Sequence, residues 1–234
     1  MTGLRSRLDV VATVLMIVVS MLLIVLIARS FLAPRASAQG PARAEIPIPK
    51  EPVSFRGAAR MGSPTAPVVM VLYSEFQCPY CRAFAKDTFP KVAEEYIRTG
   101  KVELAFKHLP LPIHQFAFRA AEAAECARRQ GEFWPMHDAL FLNAPQAAFD
   151  DLGLTSRASQ IKLDVTGFQR CLTGQANDAV RADAASAKVL GITGTPTFLV
   201  GRRDGPDVLK VASILRGAQG LDRFDVVLQG LLRK

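Results

Sequence analysis

Apolar residues fall into blocks of different length and spacing along this chain. The first block, residues 10–28, holds 19 residues in a row without a charge. At about 1.5 Å per residue a helix of this length reaches ~28 Å, close to the ~30 Å hydrocarbon core of a bilayer. We therefore expect a single transmembrane helix that stays attached as an anchor. A cleaved signal peptide is the alternative, because Arg5 and Arg7 precede the block and Ala36-Ser37-Ala38 has the pattern of a cleavage site.

Later apolar blocks alternate between strand and helix patterns. The valine-rich run "PVVMVLY", residues 67–73, predicts a strand buried on both faces. Apolar residues at helical spacing follow between Phe84 and Ile97, and Pro90 is expected to kink that helix. The pattern predicts three more strands, at Val102–Phe106, Thr197–Val200 and "VLKVAS". It also predicts a mostly helical stretch over residues 114–190 and a last helix at Leu221–Leu232.

These patterns predict four regions in an α/β protein. Residues 1–32 form a cytoplasmic tip and the transmembrane anchor, and residues 33–52 form a spacer whose five prolines favour an extended chain. Residues 53–112 and 188–234 supply a β-α-β start and a β-β-α end of one domain. Residues 113–187 form a helical domain inserted between these two parts.

Charge excludes some classes of function. The net charge is +8, and +4 of it belongs to the first 43 residues. The rest of the chain is mildly basic with interspersed charges, which is typical of an ordinary solvated surface, so we expect no nucleic-acid partner. No G-x-G-x-x-G or Walker motif occurs in the sequence.

The stretch "SEFQCPYCRAF" carries the strongest chemical signal, because Cys78 and Cys81 stand between a strand and a helix. Pro79 suits the first helical position, which places Cys78 at the helix N-terminus. The helix dipole there lowers the pKa of a cysteine and favours its thiolate, the nucleophilic form. We therefore expect Cys78 to be an exposed attacking sulfur and Cys81 to be a buried resolving one. Tyr80, between them, either contacts a substrate or is merely exposed.

Three uses of such a pair are open: thiol–disulfide exchange, metal binding and a structural staple. A zinc site needs two further ligands at matching spacing, and His108, His114 and His137 are scattered. We expect His114 and His137 to be capping or packing groups rather than ligands. Copper is the better candidate for a metal. We favour redox exchange and expect neither a metal nor an organic cofactor.

A second motif supports the redox interpretation. In "GITGTPTFLV" the dipeptide Thr195-Pro196 comes directly before an apolar strand. Proline is tolerated at the start of a strand, and the preceding peptide bond can be cis.

Together these segments resemble the DsbA-like thiol:disulfide oxidoreductases, in the branch that has one N-terminal anchor. The resemblance covers residues 62–234 and rests on "APVVMVLYSEFQCPYCRAF", "VELAFKHLPLPIH", "AAECARRQGEFWPMHDALF" and "GITGTPTFLVG". It implies a thioredoxin fold with an inserted helical domain, Cys78 as nucleophile, Cys81 as its partner and Pro196 as a cis-proline. Thr195 would pair its backbone with an extended substrate.

The function that this resemblance implies is oxidation of cysteine pairs in other exported proteins, with a separate redox partner that regenerates the Cys78–Cys81 disulfide. The redox domain is then expected on the extracytoplasmic side of the cell membrane, in the periplasm or outside. An isomerase or reductase of the same fold is the alternative, as is a copper chaperone. One departure concerns the buried acid that the family often places six residues before the first cysteine, because Leu72 stands there. Glu75 is then the candidate for proton handling.

Two further cysteines, Cys126 and Cys171, fall in predicted helices of the insert at inward positions. An even cysteine count behind an export segment permits disulfides. We expect a structural disulfide between them, with free buried thiols or a regulatory pair as alternatives.

Overall fold

A computed structural model describes residues 15–24, 46–142 and 149–233. Residues 15–24 form helix α1, and its large apolar side chains are about half exposed or more. Within the described ranges no helix is both long enough and apolar enough to cross a membrane. The rest of the predicted span, residues 10–14 and 25–28, and most of the predicted spacer lie outside the described residues. The transmembrane helix therefore stays a prediction.

The described residues from Ile46 onward form a compact unit built on a six-stranded sheet. The strand order is β1-β6-β5-β3-β4-β2, with β3 and β4 parallel and the other neighbours antiparallel. All seven residues of β3 are buried, as its continuous apolar pattern predicts. The strands are β1 (Val53–Ser54), β2 (Ala59–Met61), β3 (Val68–Ser74), β4 (Val102–His108), β5 (Thr197–Arg203) and β6 (Val208–Arg216).

In the described residues α2 and α3 follow β3, five helices lie between β4 and β5, and α9 follows β6, which agrees with the mostly helical stretch predicted over residues 114–190. These helices are α2 (Pro79–Ala83), α3 (Phe89–Val92), α4 (Ala117–Arg128), α5 (Phe133–Phe141), α6 (Asp151–Gln160), α7 (Val165–Leu172), α8 (Asn177–Val189) and α9 (Leu221–Leu232). The thioredoxin fold with a helical insertion is confirmed.

The expected disturbance at Pro90 is present as a change of helix type. Two π-helical segments, Phe84–Thr88 and Ala93–Ile97, flank α3 and make one continuous helical stretch with α2. Proline has no N–H and its ring crowds the preceding turn, so the regular ladder of hydrogen bonds cannot continue through it. The π segment before Pro90 absorbs this break, since the N–H of Phe89 bonds to the carbonyl of Phe84, five residues back.

Alternate residues of the central strands serve two separate cores. Met70 and Leu72 face the core that contains the cysteine pair, α9 and most of the insert. Val71 and Tyr73 face the other core, to which Ala187 of α8 belongs. The Tyr73 hydroxyl also lies 2.9 Å from the Ser186 hydroxyl. Part of α8 therefore packs on the sheet, although the boundary proposed at residues 187 and 188 remains untested.

Candidate active site

The cysteine pair lies at the point where β3 turns into α2. Cys78 is the N-cap residue with an extended backbone (φ −68°, ψ 121°), and Pro79 occupies the first turn of the helix. The carbonyl of Cys78 accepts the first helical hydrogen bond, from Arg82 N–H at 3.0 Å. The N–H groups of the first turn have no partner within the helix, and those of Tyr80 and Cys81 help to lower the pKa of the Cys78 thiol.

Both cysteines are buried, Cys78 with 3% and Cys81 with 1% of its surface exposed. The prediction that Cys78 is exposed is therefore wrong. The Thr195–Pro196 peptide bond is cis, and the backbone carbonyl oxygen of Thr195 lies 3.5 Å from the Cys78 sulfur. The sequence signals the helix terminus correctly, but the contact with Thr195 comes from a residue 117 positions later.

The two thiols differ strongly in acidity. A hydrogen bond with Cys81 is the main cause that lowers the pKa of Cys78 to about 5, against the opposing effect of burial. Thr195 and the backbone N–H groups of Cys81 and Tyr80 lower it further. Burial raises the pKa of Cys81 well above its ordinary value, and the interaction with Cys78 raises it more. The site therefore holds one thiolate and one thiol near neutral pH.

Glu75, three residues before Cys78, is a buried carboxyl group with 1% exposure. Its Oε2 atom accepts a hydrogen bond of 2.7 Å from the N–H of Gln77, and its Oε1 atom contacts Nδ1 of His114. Burial raises the pKa of Glu75, and the bonds from Gln77 and His114 partly offset this effect. The charge of Cys78 acts in the same sense as burial, so this carboxyl group and the thiolate influence each other.

A family model described as thioredoxin matches residues 56–211 of the chain. The chain belongs to the thioredoxin family.

Three relatives place it more closely within the thioredoxin family. The crystal structure of alpha-DsbA1 from Wolbachia pipientis has a TM-score of 0.65 and 28% identity, and the match covers 76% of this chain and 92% of that one. Probable disulfide bond formation protein D of Bacillus cereus is 31% identical over 156 residues, 63% of this chain and 72% of that protein. The resemblance to DsbA-like oxidoreductases is confirmed.

The third relative is a much longer protein. Na(+)/H(+) antiporter NhaA 3 of Salinispora tropica is 38% identical over 145 residues, which make up 61% of this chain and 21% of the antiporter. The chain thus matches about a fifth of the length of this relative.

Ser74 is a residue of this site that sequence reasoning missed. A hydrogen bond between its side chain and Cys81 moderates the rise in the pKa of that thiol. The signal was available, because residues 70, 72 and 74 of a strand share one face and Leu72 faces the cysteine core. Leu72 is itself buried in that core, so the position where the family often has an acid is apolar here.

Tyr80 is 63% exposed beside the buried pair, in a position open to another molecule.

The second cysteine pair is bonded and lies in the insert. Cys126 of α4 and Cys171 of α7 form a disulfide with a Cα–Cα separation of 5.7 Å, and both residues are buried. The free cysteines are Cys78 and Cys81.

The histidines of the described residues are not assembled for metal binding. His108 Nε2 lies 3.2 Å from Oε1 of Glu125. His137 packs among aromatic rings, the nearest of them Phe141 at 4.9 Å between centroids, and burial lowers the pKa of His137. No group of three or more potential ligand side chains occurs in the part of the chain that the structure describes.

Proposed function

We propose that this chain is an exported thiol:disulfide oxidoreductase that oxidises cysteine pairs in other exported proteins through a Cys78–Cys81 disulfide. The observation that carries the proposal is the difference in acidity between the two thiols, with the pKa of Cys78 at about 5 and that of Cys81 raised. The family membership and the disulfide bond formation protein of Bacillus cereus support it.

The reaction passes two electrons from the substrate to the cysteine pair. A substrate thiolate attacks the Cys78 sulfur and forms a mixed disulfide, while Cys81 is released and takes up a proton. The second substrate thiolate then attacks the first substrate sulfur, the substrate disulfide closes, and Cys78 leaves as a thiolate. A low pKa makes a sulfur a good leaving group, so the acidity of Cys78 drives this second step forward.

A stabilised Cys78 thiolate favours the reduced form and makes the disulfide an oxidant. Because the pKa of Cys78 is about 5, the thiolate stabilises the reduced form at pH 7 by the equivalent of two pH units. This raises the reduction potential by ~60 mV for a two-electron couple. A separate redox partner must then remove the two electrons to regenerate the disulfide. Thr195 and cis-Pro196 are proposed to hold the substrate strand beside Cys78, with Tyr80 as a further contact.

Equilibration of the chain with glutathione buffers tests the direction of the reaction. We expect a reduction potential above about −250 mV, and a value at or below this, in the range of reductants such as thioredoxin, would contradict an oxidase. Replacement of Cys81 by alanine should trap oxidised substrates as mixed disulfides, because the Cys78 thiolate attacks a substrate disulfide, one substrate sulfur leaves as a thiolate, and no Cys81 thiol releases the bound substrate. Cys78→Ser should trap none and should abolish exchange.

We place the redox domain on the extracytoplasmic side of a membrane, held by residues 10–28. The support is the uninterrupted apolar run of 19 residues in the sequence. Extraction of membranes with alkaline carbonate tests this placement. The anchored chain should stay in the pellet at full length, whereas a released protein that starts near Gln39 would indicate a cleaved signal peptide.

A further inference from the structure

Two polar contacts hold the active-site turn to the loop before α4. His114 Nδ1 contacts the carboxyl group of Glu75, and the backbone N–H of Phe116 donates to the side-chain oxygen of Gln77. Both contacts span 39 positions of sequence. They join the residues directly before Cys78 to a loop that carries no part of the cysteine motif.

Glu75 lies three residues before Cys78 and interacts with it electrostatically, because the charge of Cys78 raises the pKa of Glu75. Its side chain is 1% exposed in the ion-pair geometry with His114, whose side chain is 21% exposed. When Glu75 is ionised both of its oxygens accept, Oε2 from the N–H of Gln77 and Oε1 from a hydrogen on His114 Nδ1. Among the described residues, His114 is the titratable side chain that contacts Glu75 directly.

We propose that His114 is a positioning residue that sets the acidity of Cys78 through Glu75, by donating a hydrogen bond that holds and balances the carboxylate charge. A carboxylate beside a thiolate disfavours it, because like charges oppose each other. The donor on His114 balances part of the negative charge of Glu75. Without that donor, more of the carboxylate charge opposes the nearby Cys78 thiolate, which becomes less favourable.

This inference rests on the proposed role of Cys78 as the sulfur that forms the mixed disulfide with the substrate, but its test does not require disulfide exchange. The rate at which iodoacetamide alkylates Cys78 in the reduced full chain is measured against pH, with mass spectrometry of the Cys78 peptide. The midpoint of that profile reports the acidity of Cys78 even if the chain exchanges disulfides with no protein. Failure of the proposed function and failure of this inference are therefore distinguishable.

Four variants and one matched control define the experiment. We expect His114→Ala to move the midpoint up by about one pH unit, the lower end of the shift that a neighbouring charge produces. His114→Asn keeps a donor near the position of Nδ1, so its midpoint should return most of the way to wild type. Glu75→Gln should leave the midpoint equal or lower. Ile113→Ala, at an exposed residue of the same loop, should change nothing.

The double variant His114→Ala/Glu75→Gln decides whether His114 acts through Glu75. We expect its midpoint to equal that of Glu75→Gln alone. An unchanged or lower midpoint in His114→Ala overturns the proposal, and so does an equal rise in the presence and absence of Glu75. If His114→Ala does not fold, a midpoint in His114→Asn that lies a full unit above wild type also overturns it.

Discussion

The acidity of Cys78 predicts a pH dependence of the stability of the reduced protein. The folded-state pKa of about 5 lies below the unfolded value of ~8.5. A depressed pKa of this kind contributes stability that is fully present above the unfolded pKa and is lost as the pH falls through about 5. At pH 7 the thiolate is formed in the folded state while the unfolded chain still holds the proton. The pKa of about 5 lies two units below pH 7. At ~1.4 kcal/mol for each unit, the Cys78 thiolate adds about 3 kcal/mol to the free energy of unfolding at pH 7.

The perturbation that isolates this contribution is Cys78→Ser, which removes the titrating sulfur. Urea unfolding of the reduced wild-type chain and of the variant is followed between pH 4 and pH 8. Alkylation and mass spectrometry verify that the Cys126–Cys171 disulfide stays intact in both. The free energy of unfolding of the wild type should rise relative to the variant by about 3 kcal/mol between pH 4 and pH 7, because titrating groups that do not interact with Cys78 act alike in both proteins.

A difference below about 1 kcal/mol over that range would refute the reasoning. It would place the folded-state pKa of Cys78 above about 6 and remove most of the expected oxidising power. A difference of the opposite sign would mean that burial outweighs the hydrogen bonds to the sulfur.

Two further predictions concern stability. Replacement of both Cys126 and Cys171 by alanine should lower the free energy of unfolding by about 2–4 kcal/mol, because the disulfide closes a long loop in the unfolded chain. The alkylation profile of Cys78 and Cys81 should stay as in wild type. An unchanged free energy of unfolding in urea would contradict this prediction. Arg203→Met should cost about 1–3 kcal/mol, because it removes one of two guanidinium partners of the buried Glu103. Arg223→Met, at an exposed position, is the control. Equal urea midpoints for Arg203→Met and Arg223→Met would show that Glu103 needs no second guanidinium partner.

Local sequence pattern is sufficient to predict the elements around the cysteine pair. The apolar run of β3 and the residues that follow indicate a strand, a turn and a helix, so the sequence alone places Cys78 at the helix N-terminus. The bounds predicted for α9, Leu221–Leu232, agree with the structure, because its apolar spacing is regular. Short edge strands such as β1 have two residues and no period to detect.

Contacts between distant segments could not be predicted in this way. The Cys78 sulfur contacts Thr195, and Glu75 contacts His114, which we expected to be a packing or capping residue. A single sequence contains no signal that pairs residues 39 positions apart across a loop. Ser74 is different, because the alternation of strand residues already placed it on the cysteine face.

The buried bond between Cys126 and Cys171 has a consequence for the biogenesis of this protein. With 1% and 5% exposure, these sulfurs are accessible to an oxidant chiefly before the insert has closed around them. A newly made chain thus itself requires disulfide formation before it can take part in the proposed exchange. If older copies serve as that oxidant, the first molecules to mature speed the maturation of those that follow, and the supply of finished protein becomes self-reinforcing.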